Sequence, residues 1–78
     1  MKTAKQIKET IDLHQTCIEL LEHIRSYNNR AMLFIEEASY YSNRQYPDAE
    51  KTMIHHSEIC EMVSARLTER YNKILKAL

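Results

Sequence analysis

No glycine occurs among the 78 residues, and proline occurs once, at position 47. A β-sandwich or barrel needs turn residues every ~8–12 positions, and this chain does not supply them. A dinucleotide or P-loop site needs a glycine-rich turn that lets backbone N–H groups approach phosphate, so both are excluded. Eleven Lys+Arg balance eleven Asp+Glu and 44% of residues are apolar, which is not the composition of a disordered chain. What remains is one small all-α domain spanning residues 1–78.

The N-terminal basic residues are followed by Glu9 and Asp12 rather than by an apolar stretch, so no secretory signal is expected. The longest apolar run, from Ala31 to Ile35, falls far short of the ~18 residues a membrane span requires. A cytoplasmic protein without membrane contact is the expectation, with Cys17 and Cys60 as reduced thiols.

Thr3 and Gln6 have the spacing of a capping box, which predicts a helix start. Ile7, Ile11, Ile18 and Leu21 then recur at helical spacing, with His14 in the gap. A neighbouring line carries Cys17, Leu20, Ile24, Tyr27, Ala31, Phe34, Ala38 and Tyr41 in steps of three and four. Two adjacent lines make a stripe wide enough to meet more than one other helix. The weakest stretch is Ser26-Tyr27-Asn28-Asn29, whose residues have middling to poor helix propensity. Around Tyr40 to Tyr46 the chain reverses, with Asn43 as the candidate left-handed residue in the absence of glycine. Pro47 suits the first position of a second helix, and Asp48 and Glu50 favour its positive end. Met53, Cys60, Val63, Leu67, Tyr71, Ile74 and Leu78 form the second stripe, widened by Ile54, Ile59 and Leu75.

The reading is therefore a long antiparallel helical hairpin: first helix about 4–42, reversal about 43–46, second helix about 47–76. At 1.5 Å per residue the helices measure ~57 and ~45 Å. A lone hairpin leaves each wide stripe half wet, and a chain this size buries only about 60% of its unfolded surface even when compact. The simplest closed arrangement is a homodimer forming a four-helix bundle. The alternative is a monomeric three-helix bundle broken near Asn28-Asn29.

Four residues have the chemistry of metal ligands. His14 and Cys17 are three apart, and His56 and Cys60 four apart, each pair on one helical face. Zinc accepts two Cys and two His. In a hairpin the two pairs lie roughly 16–18 Å apart along the axis, so one chain cannot close such a site. The thiols read more simply as small core residues, and no metal or other cofactor is expected. Glu19 with Glu22, and Glu58 with Glu61, face away from the main stripes and lack the Glu-x-x-His pattern of di-iron bundles. No Ser-His-Asp or Cys-His set is accompanied by an oxyanion turn, so no enzyme is expected.

Charge is unevenly placed. In a hairpin, the open end gathers Lys2, Lys5, Lys8, Arg66, Arg70, Lys73 and Lys76 against Glu9, Asp12 and Glu69, about +4. The remainder is about −4. Three lysines at the positive pole of the first helix oppose its dipole, as a chain that needs a basic end would tolerate. Such an end can attract an acidic partner or a phosphate backbone. Tyr40, Tyr41 and Tyr46 cluster with Arg44 at the reversal, and Tyr and Arg are enriched in binding hot spots. The inferred form resembles the Rop-type antiparallel hairpin dimer, a protein that binds paired RNA loops; the likeness is of form, and no residue carries over.

The functional expectation is a non-enzymatic interaction or regulatory protein that dimerises and binds a partner protein through Tyr40, Tyr41, Arg44 and Tyr46. A nucleic-acid-binding regulator using the basic end is the alternative, against which the neutral net charge weighs. A metal-binding bundle through His14, Cys17, His56 and Cys60 is the third reading.

Overall fold

The computed structural model describes residues 2–78 and contains two helices, α1 (Ala4–Asn43) and α2 (Pro47–Ala77), with no strand among the described residues. They form an extended hairpin measuring 65 × 14 × 11 Å. Its radius of gyration is 18.3 Å, against about 11.5 Å for a compact domain of this length. No helix among the described residues is long and apolar enough to cross a membrane.

α1 starts on the expected capping box. The Gln6 backbone N–H donates to Thr3 Oγ1 at 3.2 Å, and the Thr3 N–H donates to Gln6 Oε1 at 2.9 Å. Two otherwise orphaned donors are thereby satisfied. α1 runs unbroken through Ser26-Tyr27-Asn28-Asn29, so the three-helix alternative does not hold. Packing overrides propensity there. Ser26 and Tyr27 are half-buried, Asn28 Oδ1 accepts from the Ser64 hydroxyl at 2.6 Å, and the Arg30 guanidinium lies 5.0 Å from the Tyr27 ring centroid.

The reversal differs from expectation in one residue. Asn43 stays helical; the left-handed residue is Gln45, with φ 61°. The reason lies in the hydrogen bonds. Tyr46 N–H donates to the Tyr41 carbonyl at 3.0 Å, and Gln45 N–H donates to the Ser42 carbonyl at 3.1 Å. This is the Schellman pattern, which requires the left-handed conformation two residues beyond Asn43. The Tyr41 and Tyr46 rings, 6.5 Å apart, provide the apolar contact that accompanies it. Pro47 then opens α2, with Asp48 and Glu50 in its first turn.

The helices meet along one seam. On α1 it comprises Leu13, Cys17, Leu20, Ile24, Tyr27, Ala31, Phe34, Ala38 and Tyr41, all buried or half-buried. On α2 it comprises Met53, Ser57, Cys60, Ser64, Leu67, Tyr71 and Ile74. Both lines alternate steps of four and three, the heptad period that keeps one face on a partner helix. The sequence-based stripe of α2 omitted Ser57 and Ser64, yet Ser57 is the most buried residue of the described chain, 1% exposed. Small side chains let the backbones approach closely here. The Ser57 hydroxyl donates across the seam to the Ala31 carbonyl at 3.0 Å. Leu78, expected in the stripe, is 48% exposed.

Three contacts fix the register: Ser57 on Ala31, Ser64 on Asn28, and Phe34 stacked on His56 with centroids 5.2 Å apart. Each residue of α2 lies nearly level with the α1 residue equally far before the turn. The end of α2 is therefore level with about residue 12, and the first two turns of α1 project beyond it.

Candidate functional site

The most deeply buried residues of the hairpin are mostly small, and many large apolar residues stay exposed. Its buried apolar residues are Cys17, Leu20, Ala31, Ala38 and Cys60, of which only Leu20 is large. The second line of α1 is open to solvent: Ile7, Ile11, Ile18, Leu21, Met32 and Ile35 are between 44% and 65% exposed. These residues, with His14, Arg25 and Asn28 between them, again follow steps of four and three, parallel to the seam and next to it. Ile54 and Leu75 lie at the corresponding positions of α2, one residue beyond Met53 and Ile74, and so border the same side of the hairpin.

Two open hollows mark that side as continuous across both helices. One of about 440 Å³ is lined by Asn28, Ala31, Met32, Ile35 and Glu36 of α1 with Glu61 of α2. A second, of about 260 Å³, joins Ile35, Ala38 and Ser39 to Glu50 and Ile54. Glu61 therefore rims the apolar face instead of standing alone on a remote solvated one.

The chain exposes 6396 Å² in total, about 1,400 Å² more than a compact monomer of its 9.3 kDa mass. A standard interface buries about 800 Å² per partner, and permanent homodimers bury more. The excess follows from the elongated shape of the hairpin, and is comparable in magnitude with what such interfaces bury.

The reversal gathers the tyrosines as the sequence suggests. The Tyr40 and Tyr41 rings meet edge to face at 5.3 Å, and the Arg44 guanidinium lies 3.6 Å from the Tyr40 centroid. Tyr40 and Tyr46 are 50% and 59% exposed, while Tyr41 is half-buried where it closes the seam. Tyr41, Tyr46, Pro47, Asp48 and Ala49 line an apolar hollow of about 430 Å³. Cation–π contact holds Arg44 against Tyr40 and presents both on one side of the tip.

At the opposite end Lys2, Lys5, Lys8, Arg66, Arg70, Lys73 and Lys76 are all exposed. Lys5 and Lys8 lie on the projecting turns of α1, with Lys2 just before them. Arg66, Arg70 and Lys73 share one face of α2 by their spacing.

The four residues with metal-ligand chemistry are not brought together. Cys17 and Cys60 are buried free thiols in the seam. Cys60 is level with about residue 30 of α1, so the two thiols are offset by roughly 20 Å along the axis. His14 is exposed, and His56 stacks on Phe34. Among the described residues no three His, Cys, Asp or Glu side chains gather closely enough to hold an ion.

Sequence reasoning missed the polar bonds across the seam, from Ser57 to Ala31 and from Ser64 to Asn28. The available signal was spacing: Ser57 and Ser64 are seven apart and interleave with Cys60 and Leu67 in the same four-and-three steps. Comparison with protein-family models, with curated proteins and with solved structures gives no match for this chain.

Proposed function

We propose that this chain is a non-enzymatic helical interaction protein that dimerises into a four-helix bundle and binds a partner protein at its tip. One observation carries the reading: a chain with few buried side chains directs six large apolar residues of one helical line into water, from Ile7 to Ile35 on α1. Monomers rarely expose a contiguous apolar surface beyond a few hundred Å², and larger ones mark association sites. The seam gives a second support. Its fully buried residues are mostly Ala, Cys and Ser, and its larger ones, such as Ile24, Phe34 and Leu67, stay half-exposed, which leaves apolar area for a second copy to cover.

The tip supports the partner-binding half of the proposal. Tyr40, Arg44 and Tyr46 are exposed; Arg44 stacks on Tyr40 and Tyr46 packs on Tyr41, so less side-chain freedom is lost on binding. A bundle of two antiparallel hairpins would present one such tip at each end.

Sedimentation equilibrium of the purified chain tests the first half. A single species of twice 9.3 kDa is expected in the micromolar range, and a monomer throughout that range refutes the reading. For the second half, a protein captured by the wild-type chain must be lost with Tyr40→Ala/Tyr46→Ala while helix content and dimer mass stay unchanged. Retention by that variant removes the tip as the binding surface.

A further inference from the structure

The exposed line of α1 has an internal symmetry that sets how two copies meet. Leu21 stands at its centre. Ile7 and Ile35 each lie fourteen residues from Leu21, and His14 and Asn28 each lie seven away. Ile11 and Met32 lie ten and eleven away, and Ile18 and Arg25 three and four. Outward from the centre the line reads the same in both directions at three of its four pairs, polar then apolar then apolar; the innermost pair, Ile18 and Arg25, differs. Two copies laid antiparallel with Leu21 on a two-fold axis match Ile7 with Ile35, Ile11 with Met32 and His14 with Asn28, and set the Arg25 stem beside Ile18.

We propose that a second copy of this chain covers the face in this antiparallel register, α1 against α1, with Leu21 of each chain meeting at the two-fold axis. The inference rests on the dimer reading above and specifies its geometry. Ile7 then packs on Ile35 of the other copy, Ile11 on Met32, and His14 beside Asn28. The turns of α1 that project past α2 lose their isolation, because they lie along the turn-proximal half of the other hairpin.

Charge selects the same arrangement. Antiparallel pairing sets the basic open end of one chain against the acidic turn-proximal half of the other, which carries Glu36, Glu37, Asp48, Glu50, Glu58 and Glu61. Lys8 flanks the line thirteen residues before Leu21, and Glu36 flanks the same edge fifteen residues after it. In the antiparallel register these two face each other twice per dimer, against a single Glu22–Glu22 juxtaposition at the axis. The competing two-fold runs parallel to the helices and lays α1 over α2 of the other copy at the same level. It sets Met32 on Glu58 and Asn28 on Glu61, and stacks the basic ends on each other. Like charges juxtaposed across an interface disfavour that arrangement.

Thiol cross-linking tests the register. In a Cys17→Ser/Cys60→Ser background checked for helix content, Leu21→Cys is treated with a short bis-maleimide. Covalent dimer in high yield is expected from this variant, and little from Ile35→Cys alone. An equimolar mixture of Ile7→Cys and Ile35→Cys chains should link as a heterodimer. On the otherwise unaltered chain, Lys8→Glu or Glu36→Lys alone should each weaken dimerisation about tenfold, and the two together should restore it. A chain that sediments as a dimer but fails to link at position 21, or is not restored by the charge swap, overturns the register and leaves dimerisation standing. A monomer at all concentrations overturns both.

Discussion

Replacing Ser57 tests the close approach of the two helices, and the sign of the result decides the matter. Ser57 is 1% exposed and its hydroxyl donates to the Ala31 carbonyl of the facing helix at 3.0 Å. Ser57→Leu adds two heavy atoms where no cavity is available. If the seam is as tight as the structure has it, the helices must separate or side chains must leave their rotamers, at a cost of about 1–3 kcal/mol. If the site had room, burying leucine would instead stabilise by about 1.5–3 kcal/mol. The two cases differ in direction. For a domain of this size 1 kcal/mol moves Tm by about 4–8 °C, so the expected fall is roughly 4–24 °C. Ser57→Ala is the control. It loses a hydrogen bond worth about 1 kcal/mol net, but regains part of that through the better helix propensity of alanine. The Ala31 carbonyl keeps its partner within α1, so no buried acceptor is orphaned. Ser57→Ala should therefore stay within about 1 kcal/mol of the parent. Thermal and urea unfolding followed by circular dichroism measures both, at one fixed protomer concentration because association would shift Tm. A Ser57→Leu chain as stable as the parent, or more so, would mean that the helices do not meet at this seam.

Other consequences are simpler to state. Gln45 adopts φ 61° without being glycine, so Gln45→Gly should raise stability by about 0.5–1 kcal/mol in urea melts; a loss would show that the Schellman turn is not formed. Thr3→Ala removes the oxygen that accepts from Gln6 and should cost about 1 kcal/mol, whereas an unchanged melt would mean the first turn is frayed. Oxidation of the purified chain should leave its intact denatured mass without the loss of two hydrogens, since the thiols of Cys17 and Cys60 are roughly 20 Å out of level and a disulfide needs Cα atoms within about 7 Å. Leu21→Asp should retain its helix content and raise the dimer dissociation constant at least tenfold by sedimentation velocity, because it places two carboxylates together at the proposed axis. Wild-type association by that variant would remove Leu21 from the interface.

How much of this was legible beforehand depends on which physical signal each part uses. The helix ends were readable because Thr3, Gln6, Pro47 and Asp48 act within a few residues of themselves. The seam of α1 was readable because its residues are apolar and regularly spaced. The seam of α2 was only half readable. Ser57 and Ser64 look like solvent-facing residues until a second helix supplies the Ala31 carbonyl and the Asn28 amide oxygen as partners. The same long-range pairing explains why Ser26 to Asn29 read as a weak point: the residues that steady it are more than thirty positions away in α2. At the turn, Asn43 was favoured on intrinsic preference, but the hydrogen-bond geometry placed the left-handed conformation at Gln45. The tip tyrosines and the basic end stood where hairpin topology required.

The two faces of α1 share one period and divide the work between them. The seam has small side chains at its most buried positions, and a slip of one heptad would take the Asn28 oxygen from the Ser64 hydroxyl. It therefore specifies register as well as supplying apolar burial. The neighbouring line has large side chains and no internal partner. In the dimer proposed above, the hairpin keeps its own helix pairing and gains further hydrophobic stabilisation from the second copy. Its melting temperature should then rise with protein concentration, as mass action requires when the folded state is the associated one. A Tm independent of concentration over two decades would place the source of stability within the single hairpin.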